Sequence, residues 1–146
     1  MQTIFFRSAD RTLKFPGKRE LALWIGNIFT EEEKLLTSLT YVFCSDEYLL
    51  KINHDFLQHD FYTDIVTFEL SDSKDTIEGE IYISLDRVID NAHTLGITLK
   101  DEILRVIFHG ALHLCGYKDK KDREITLMRQ KEDYYISLYK RREVKK

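Results

Sequence analysis

Residues 109–119 carry the side chains of this sequence that are best suited to binding a metal ion. Two histidines four residues apart on a helix project from one face, so the imidazoles of His109 and His113 can reach one ion. Gly116 follows three residues later, and glycine readily adopts the left-handed conformation that ends helices. We expect the chain to reverse there and to bring Asp119 back towards the histidines. Two neutral imidazoles and a carboxylate leave one of the four positions of zinc for water or substrate, which is typical of catalytic sites.

The helix that carries these histidines is predicted to be buried. Residues 100–114 are apolar on most sides, and a helix of that kind lies in a protein core. At about 100° per residue, four of its polar residues fall on one stripe within an arc of roughly 80°: Glu102, Arg105, His109 and His113. A polar stripe on a buried helix requires polar partners or a cleft. A pair of core histidines satisfied by hydrogen bonds is the alternative to a pair of metal ligands.

The composition is that of an ordinary globular protein, with 146 residues, 43% hydrophobic and 32% charged residues, and a formal net charge of -3. One domain over residues 1–146 is expected. No apolar run is long enough to span a bilayer and the N-terminus lacks a signal-peptide pattern, so no membrane partner is expected. The negative charge gives no general attraction to nucleic acid, and DNA is not expected as a partner. Cys44 and Cys115 form no disulfide framework, which favours a reducing cytoplasm.

Periodicity and turn signals predict nine elements in the order β-α-β-α-β-β-α-α-α. Strands are expected at residues 4–6, 40–44, 65–70 and 77–83. Helices are expected around residues 21–28, after Ser45 or Asp46, around residues 85–92, from Thr98 to Leu114, and after Asp122. This order predicts an α+β fold, in which a small mixed sheet of about four strands is covered by about five helices. The metal site would lie at the end of a buried central helix.

From about residue 46 to the last helix, the chain resembles the YbeY family. The hallmark of that family reads HGxLHLxGYDH, and residues 109–119 follow it closely. Residues 52–53, 63–68 and 79–81 are similar to the LN, TDVLSF and GDI segments of the family. The resemblance implies a zinc-dependent endoribonuclease that cuts single-stranded RNA in ribosomal RNA maturation and ribosome biogenesis, with ribosomal RNA or the small ribosomal subunit as its partner. It also implies His109 and His113 as the first two ligands of one zinc ion per chain.

The sequence departs from the family pattern at two positions. The third family ligand is a histidine two residues after the tyrosine, and this sequence has Asp119 there. A carboxylate is an acceptable zinc ligand, although its charge would make the ion a weaker Lewis acid. The family also has an arginine four residues after the LN asparagine, where this sequence has Leu57. His59 is the candidate replacement because it can donate to phosphate, and Arg105 is the other side chain expected to contact phosphate.

Two other functions fit parts of the same sequence. The spacing HxxxHxxGxxD is that of the metzincin zinc peptidases, but those enzymes need a glutamate directly after the first histidine as general base. The corresponding residue here is Gly110, which has no side chain to accept a proton. A ribosome-assembly factor with a structural metal and a binding role is favoured by the missing arginine and by the acidic body of the chain. A nuclease assay of a metal-ligand variant separates catalysis from binding.

Overall fold

A computed structural model describes residues 3–58 and 63–144, without the side chains of residues 143 and 144, and has the predicted α+β class. The strands are β1 Ile4–Ser8, β2 Leu35–Cys44, β3 Ile65–Glu69 and β4 Thr76–Ser84. The helices are α1 Lys18–Glu31, α2 Asp46–Leu57, α3 Leu85–Leu95, α4 Leu99–Leu114 and α5 Asp122–Val144. The predicted order of elements is confirmed. Within the described residues, no helix is long and apolar enough to cross a membrane.

The four strands form one mixed sheet in the order β1-β2-β4-β3. The β1–β2 and β2–β4 pairs are parallel, whereas β3 runs antiparallel to β4 at the edge of the sheet. Strand β2 begins at Leu35, five residues before the predicted start at residue 40. Its first residues are exposed or half-buried and include the polar Thr37 and Ser38, so they lack the apolar signal of a core strand. The register with β4 also shifts between Leu36 and Ser38, as at a bulge.

Side-chain caps begin the helices on either side of the sheet. The hydroxyl of Ser45 accepts a hydrogen bond from the backbone N–H of Tyr48 at 3.1 Å, so Ser45 rather than Asp46 caps α2. Thr98 caps α4 in the same way, accepting from the N–H of Asp101 at 3.1 Å. These caps satisfy N–H groups that have no partner within the helix. They confirm the predicted starts of both helices.

Helix α4 is the central helix of the core. Ten of its residues are buried, and it packs against α1, α3, α5, β3 and β4. Gly110 brings its backbone close to the sheet, because a Cβ atom there would lie 2.9 Å from methyl groups of Ile65 and Ile81. A glutamate at this position would therefore have no room. The close packing fixes one side of α4 against the sheet and leaves its polar stripe on another side.

Both cysteines are free, in agreement with the expected absence of a disulfide framework, and both are buried. Burial raises the pKa of the Cys44 thiol to about 12, and the pKa of the Cys115 thiol to about 12 as well. Thiols that stay protonated at neutral pH are poor nucleophiles and poor metal ligands. Cys115 is therefore an inert core residue, although it lies only two residues from His113.

Candidate metal centre

The turn that follows α4 brings the three predicted ligands together. Helix α4 ends at Leu114, and Gly116 then adopts a φ of 106°, in the left-handed region. We call residues 115–119 the metal turn. It reverses the chain as expected, and one oxygen of Asp119, Oδ2, lies 3.2 Å from Nε2 of His109 and 3.4 Å from Nε2 of His113. One ligand atom from each residue lies within 4.8 Å of the others. The described residues thus contain a group that could hold one metal ion.

The other nitrogen of each imidazole has a protein partner. Nδ1 of His109 lies 2.6 Å from a carboxylate oxygen of Glu132, and Nδ1 of His113 lies 2.9 Å from the carbonyl oxygen of Tyr117. Because both partners are acceptors, each Nδ1 is assigned the proton. Each Nε2 then presents a lone pair towards the carboxylate of Asp119. Two imidazole nitrogens and a carboxylate oxygen that converge in this way form a set of ligand atoms that fits zinc.

Glu132 is the principal site residue that the sequence analysis missed. Its side chain is 3% exposed, and it accepts hydrogen bonds from His109 and from Arg105. Burial alone would raise the pKa of Glu132, but these two hydrogen bonds outweigh it and the pKa is lowered. For His109 the effects have the opposite signs. Burial lowers its pKa, but the hydrogen bond and the negative charge of Glu132 raise it, and the pKa is raised overall. An ionised Glu132 therefore fixes the orientation of the His109 ring.

The sequence contains a signal that could have located Glu132. Helix α5 carries Met128, Tyr135 and Tyr139 on its buried face, and Glu132 occupies the same stripe at helical spacing. A charged residue on an otherwise apolar stripe is seldom fully buried unless it is paired. Its partner could not be inferred from spacing, because His109 lies on another helix.

Arg105 lies on the polar stripe but is already paired. Its two terminal nitrogens donate to Glu132 at 2.8 Å and to Asp133 at 2.9 Å. Arg105 also lines the cleft beside the ligands. Its expected contact with phosphate stays a prediction. The other candidate for that contact, His59, lies outside the described residues.

A cleft with a cavity volume of about 440 Å³ contains the whole polar stripe and all three ligands. Thr63 and Asp64, just before β3, form part of its wall. A second cavity of about 640 Å³ shares His113 and Asp119 with the first and extends to Leu57 at the end of α2. Leu57 is 40% exposed there. The position of the family arginine therefore faces a cavity that reaches the candidate metal centre.

Glu32 anchors the metal turn from a distant part of the chain. It lies just after α1 and accepts hydrogen bonds from the hydroxyls of Tyr117 and Tyr135 and, at 3.2 Å, from the ammonium group of Lys131. The Tyr117 hydroxyl lies 2.5 Å from a carboxylate oxygen of Glu32, and the backbone carbonyl of Tyr117 accepts a hydrogen bond from His113. No local pattern in the sequence connects Glu32 to the metal turn, so its role there could not be predicted.

Replacing Gly116 with valine should weaken metal binding through the backbone alone. No atom lies within 4 Å of a Cβ at this position, so the cost comes from the positive φ and is on the order of 1–3 kcal/mol. The strain would displace Asp119 from the histidines. Gly96→Val is a matched control, since Gly96 also has a positive φ and open surroundings but lies at the end of α3. Zinc titration measures the affinity of each variant, and thermal unfolding shows whether it is folded. If both variants bound zinc like the wild type, the role of Gly116 in positioning Asp119 would be refuted.

Replacing Glu132 with glutamine should lower metal affinity by about 10- to 100-fold, the typical cost of losing a residue that orients a ligand. The amide removes the negative charge that holds the protonated Nδ1 of His109. Asp133→Asn is the matched control, because Asp133 also pairs with Arg105 but makes no contact with His109. Competition with a chromophoric chelator would measure both affinities. Equal affinities in the two variants would contradict the role of Glu132.

The fold and the candidate metal centre together indicate the class of protein. Two histidines on a buried helix and a carboxylate on the turn after it, at the wall of a cleft in an α+β protein, form a group that could hold a metal ion of the kind that hydrolases use. The family profile described as "Endoribonuclease YbeY" matches residues 6–140 of this chain. The chain therefore belongs to the YbeY endoribonuclease family, and it is a nuclease.

Individual relatives agree with the family match. The chain is 50% identical over 139 residues to Endoribonuclease YbeY from Cytophaga hutchinsonii, covering 95% of this chain and 97% of the relative. It is 45% identical over 135 residues to Endoribonuclease YbeY from Christiangramia forsetii, covering 92% of each. A solution structure of a Thermotoga maritima protein is similar with a TM-score of 0.58 and 25% identity, covering 92% of this chain and 87% of the other. The shared fold thus extends over nearly the whole chain.

Proposed function

We propose that residues 1–146 form a single zinc-dependent hydrolase domain that cuts single-stranded RNA. The observation that carries this proposal is the convergence of the Nε2 atoms of His109 and His113 on the carboxylate of Asp119. These three residues would hold one zinc ion per chain. When bound, zinc lowers the pKa of a bound water towards about 7 and neutralises charge on a phosphoryl oxygen.

The residues around the ligands have separate tasks in this proposal. Glu132 and the carbonyl of Tyr117 hold the two imidazoles in the orientation that binding requires. Arg105 or His59 would bind a phosphate oxygen through N–H donors. Apolar side chains of the cleft wall, among them Ile65 and Val106, would exclude bulk water from the scissile phosphate.

Single-stranded RNA is the substrate that the shape of the cleft favours. The ligand side chains are half-buried, and they lie in the wall of a cavity. A flexible single strand can bend a phosphate into such a cavity. The stacked backbone of a duplex is stiffer, and its phosphates would stay outside.

Ribosomal RNA, as such or within the small ribosomal subunit, is the proposed substrate in the cell, with a role in ribosome biogenesis. The support is the family to which the chain belongs and its resemblance to the family's motifs. The cytoplasm is the proposed location, since both cysteines are free thiols.

A ribosome-assembly factor with a binding role is the second candidate. It is favoured by Leu57, which supplies no charge to phosphate at the position of the family arginine. The metzincin-like peptidase finds no support, because Gly110 has no room for the glutamate that such enzymes require.

The test of the proposed function is a cleavage assay with matched RNA substrates. We expect the zinc-loaded protein to cut a single-stranded oligonucleotide, to leave the same sequence intact in a duplex, and to leave casein intact. A chelator should stop the cleavage, and added zinc should restore it. Tight RNA binding without any cleavage would favour the assembly factor instead.

A further inference from the structure

Glu102 in the cleft has one carboxylate oxygen without a hydrogen-bond partner among the described residues. Glu102 lies on the polar stripe of α4, lines the cleft and is 5% exposed. Its Oε1 atom is buried, and no hydrogen-bond donor among the described residues reaches it. Glu132 in the same cleft accepts from both His109 and Arg105. A buried carboxylate without donors is costly to the fold, so Glu102 is a candidate for a contact with a ligand.

The charges around Glu102 agree with this geometry. Burial raises the pKa of Glu102, and the negative charge of Asp64 raises it further. The positive charges of Arg105 and Arg129 act in the opposite direction without prevailing. Among the residues that the structure describes, no donor therefore compensates the buried Oε1 atom of Glu102. A ligand with N–H groups would supply such donors.

Apolar side chains line the same cleft as Glu102. Leu95 is 63% exposed and Ile125 is 43% exposed, and both line the cleft together with the buried Met128. Exposed apolar side chains beside one unsatisfied polar group are typical of a pocket for a flat, partly polar ligand. A nucleobase has this character, with apolar faces and hydrogen-bonding edges.

The distance to the candidate metal centre suits one nucleotide. Glu102 precedes His109 by seven residues on the same helix, which is about 10 Å at about 1.5 Å per residue. This separation is comparable to the reach of a nucleotide from its phosphate to the far edge of its base. A phosphate held at His109 and His113 would therefore leave its base beside Glu102, within the same cavity.

We propose that Glu102 and the apolar side chains of Leu95, Ile125 and Met128 form a nucleobase subsite that selects guanine. Donor groups of a bound ligand favour the ionised form of the Glu102 carboxylate, which presents two acceptors side by side. Among the four RNA bases, guanine alone presents two adjacent donor groups, N1–H and the N2 amino group, on its Watson–Crick edge. The subsite rests on the proposed function for its substrate class, and it makes Glu102 a determinant of specificity.

The test compares the binding of 5′-GMP, 5′-AMP, 5′-CMP and 5′-UMP to the zinc-loaded protein by titration calorimetry. We expect 5′-GMP to bind about tenfold more tightly than the other three. Glu102→Gln should lose this preference and shift towards 5′-AMP, because an amide matches the donor and acceptor edge of adenine. Glu78→Gln, at an exposed position of β4, is the matched control and should bind like the wild type.

Thermal unfolding shows whether each variant is folded. Removing an unpartnered buried carboxylate should raise the melting temperature in Glu102→Gln and in Glu102→Leu, and Glu102→Leu should bind all four nucleotides alike. Equal binding of the four nucleotides by the wild type would overturn the subsite, as would an unchanged preference in Glu102→Gln.

Cleavage of single-stranded RNA separates this inference from the proposed function. RNA cleavage by a wild type that binds the four nucleotides alike would overturn the subsite and leave the nuclease function standing. Preference for 5′-GMP that depends on Glu102, in a protein that cuts no RNA, would support the subsite and remove the nuclease function.

Discussion

Replacing His113 with alanine is expected to remove both bound zinc and RNA cleavage. The wild type should hold about one zinc per chain, and the variant close to none, because an aspartate and one imidazole bind zinc far less tightly than three ligands. Cleavage of single-stranded RNA should fall to background. Elemental analysis of the purified protein measures the first effect, and a gel assay with a labelled oligonucleotide measures the second.

His93→Ala is the matched control, because His93 is exposed on α3 and does not line the cleft. It should retain zinc and activity. His109→Ala and Asp119→Ala should behave like His113→Ala. Undiminished zinc in all three ligand variants would remove the proposed centre. Equal traces of RNA degradation in the wild type and in His113→Ala would identify a contaminating nuclease, and the assembly factor would become the better function.

Replacing Leu57 with arginine is expected to increase the rate of RNA cleavage, by up to about 10²-fold, since one donor to developing charge is worth about 10²–10³ in rate. Leucine gives phosphate neither charge nor hydrogen bonds, whereas a guanidinium supplies both in a planar, bidentate form. Leu57 lines the second cavity, whose wall also includes His113 and Asp119. It is also the last residue of α2, where a cation is favourable to the helix dipole.

Leu23→Arg controls for the added positive charge. Leu23 is an exposed leucine on α1, away from the cleft, so this variant attracts RNA in general but places no donor near the ligands. Initial rates at saturating RNA distinguish the two effects, since general attraction changes KM and a donor at the reacting phosphate changes kcat. A Leu57→Arg variant no faster than Leu23→Arg would contradict this account of the missing arginine.

The elements of the fold were predictable because their signals are local. Alternation, helical spacing, and caps such as Ser45 and Thr98 act within a few residues, and they identified all nine elements in order. The order of strands in the sheet was not predicted, because the β2–β4 pair connects residues as far apart as Tyr41 and Ile81. No pattern in the sequence names that partner.

The residues of the candidate site also fall into a group that local spacing predicts and a group that only packing brings together. His109, His113, Gly116 and Asp119 lie within one helix end and its turn, so spacing alone predicted that they would meet. Glu132 and Glu32 are separated from them by other elements, and only packing brings them to the site. The two acidic residues were therefore missed, although one of them lies on the buried stripe of α5.

The metal turn has a consequence for the protein without its ion. Its contacts, from His113 to the Tyr117 carbonyl and from the Tyr117 hydroxyl to Glu32, are made between protein groups. Small zinc domains unfold when the ion is removed, because binding energy is their folding energy. Here the turn is held independently of zinc, and we expect a lasting pool of folded apoprotein. Each folded molecule could then gain or lose zinc repeatedly. The amount of active nuclease would follow the zinc supply of the cell without new synthesis or degradation of the protein.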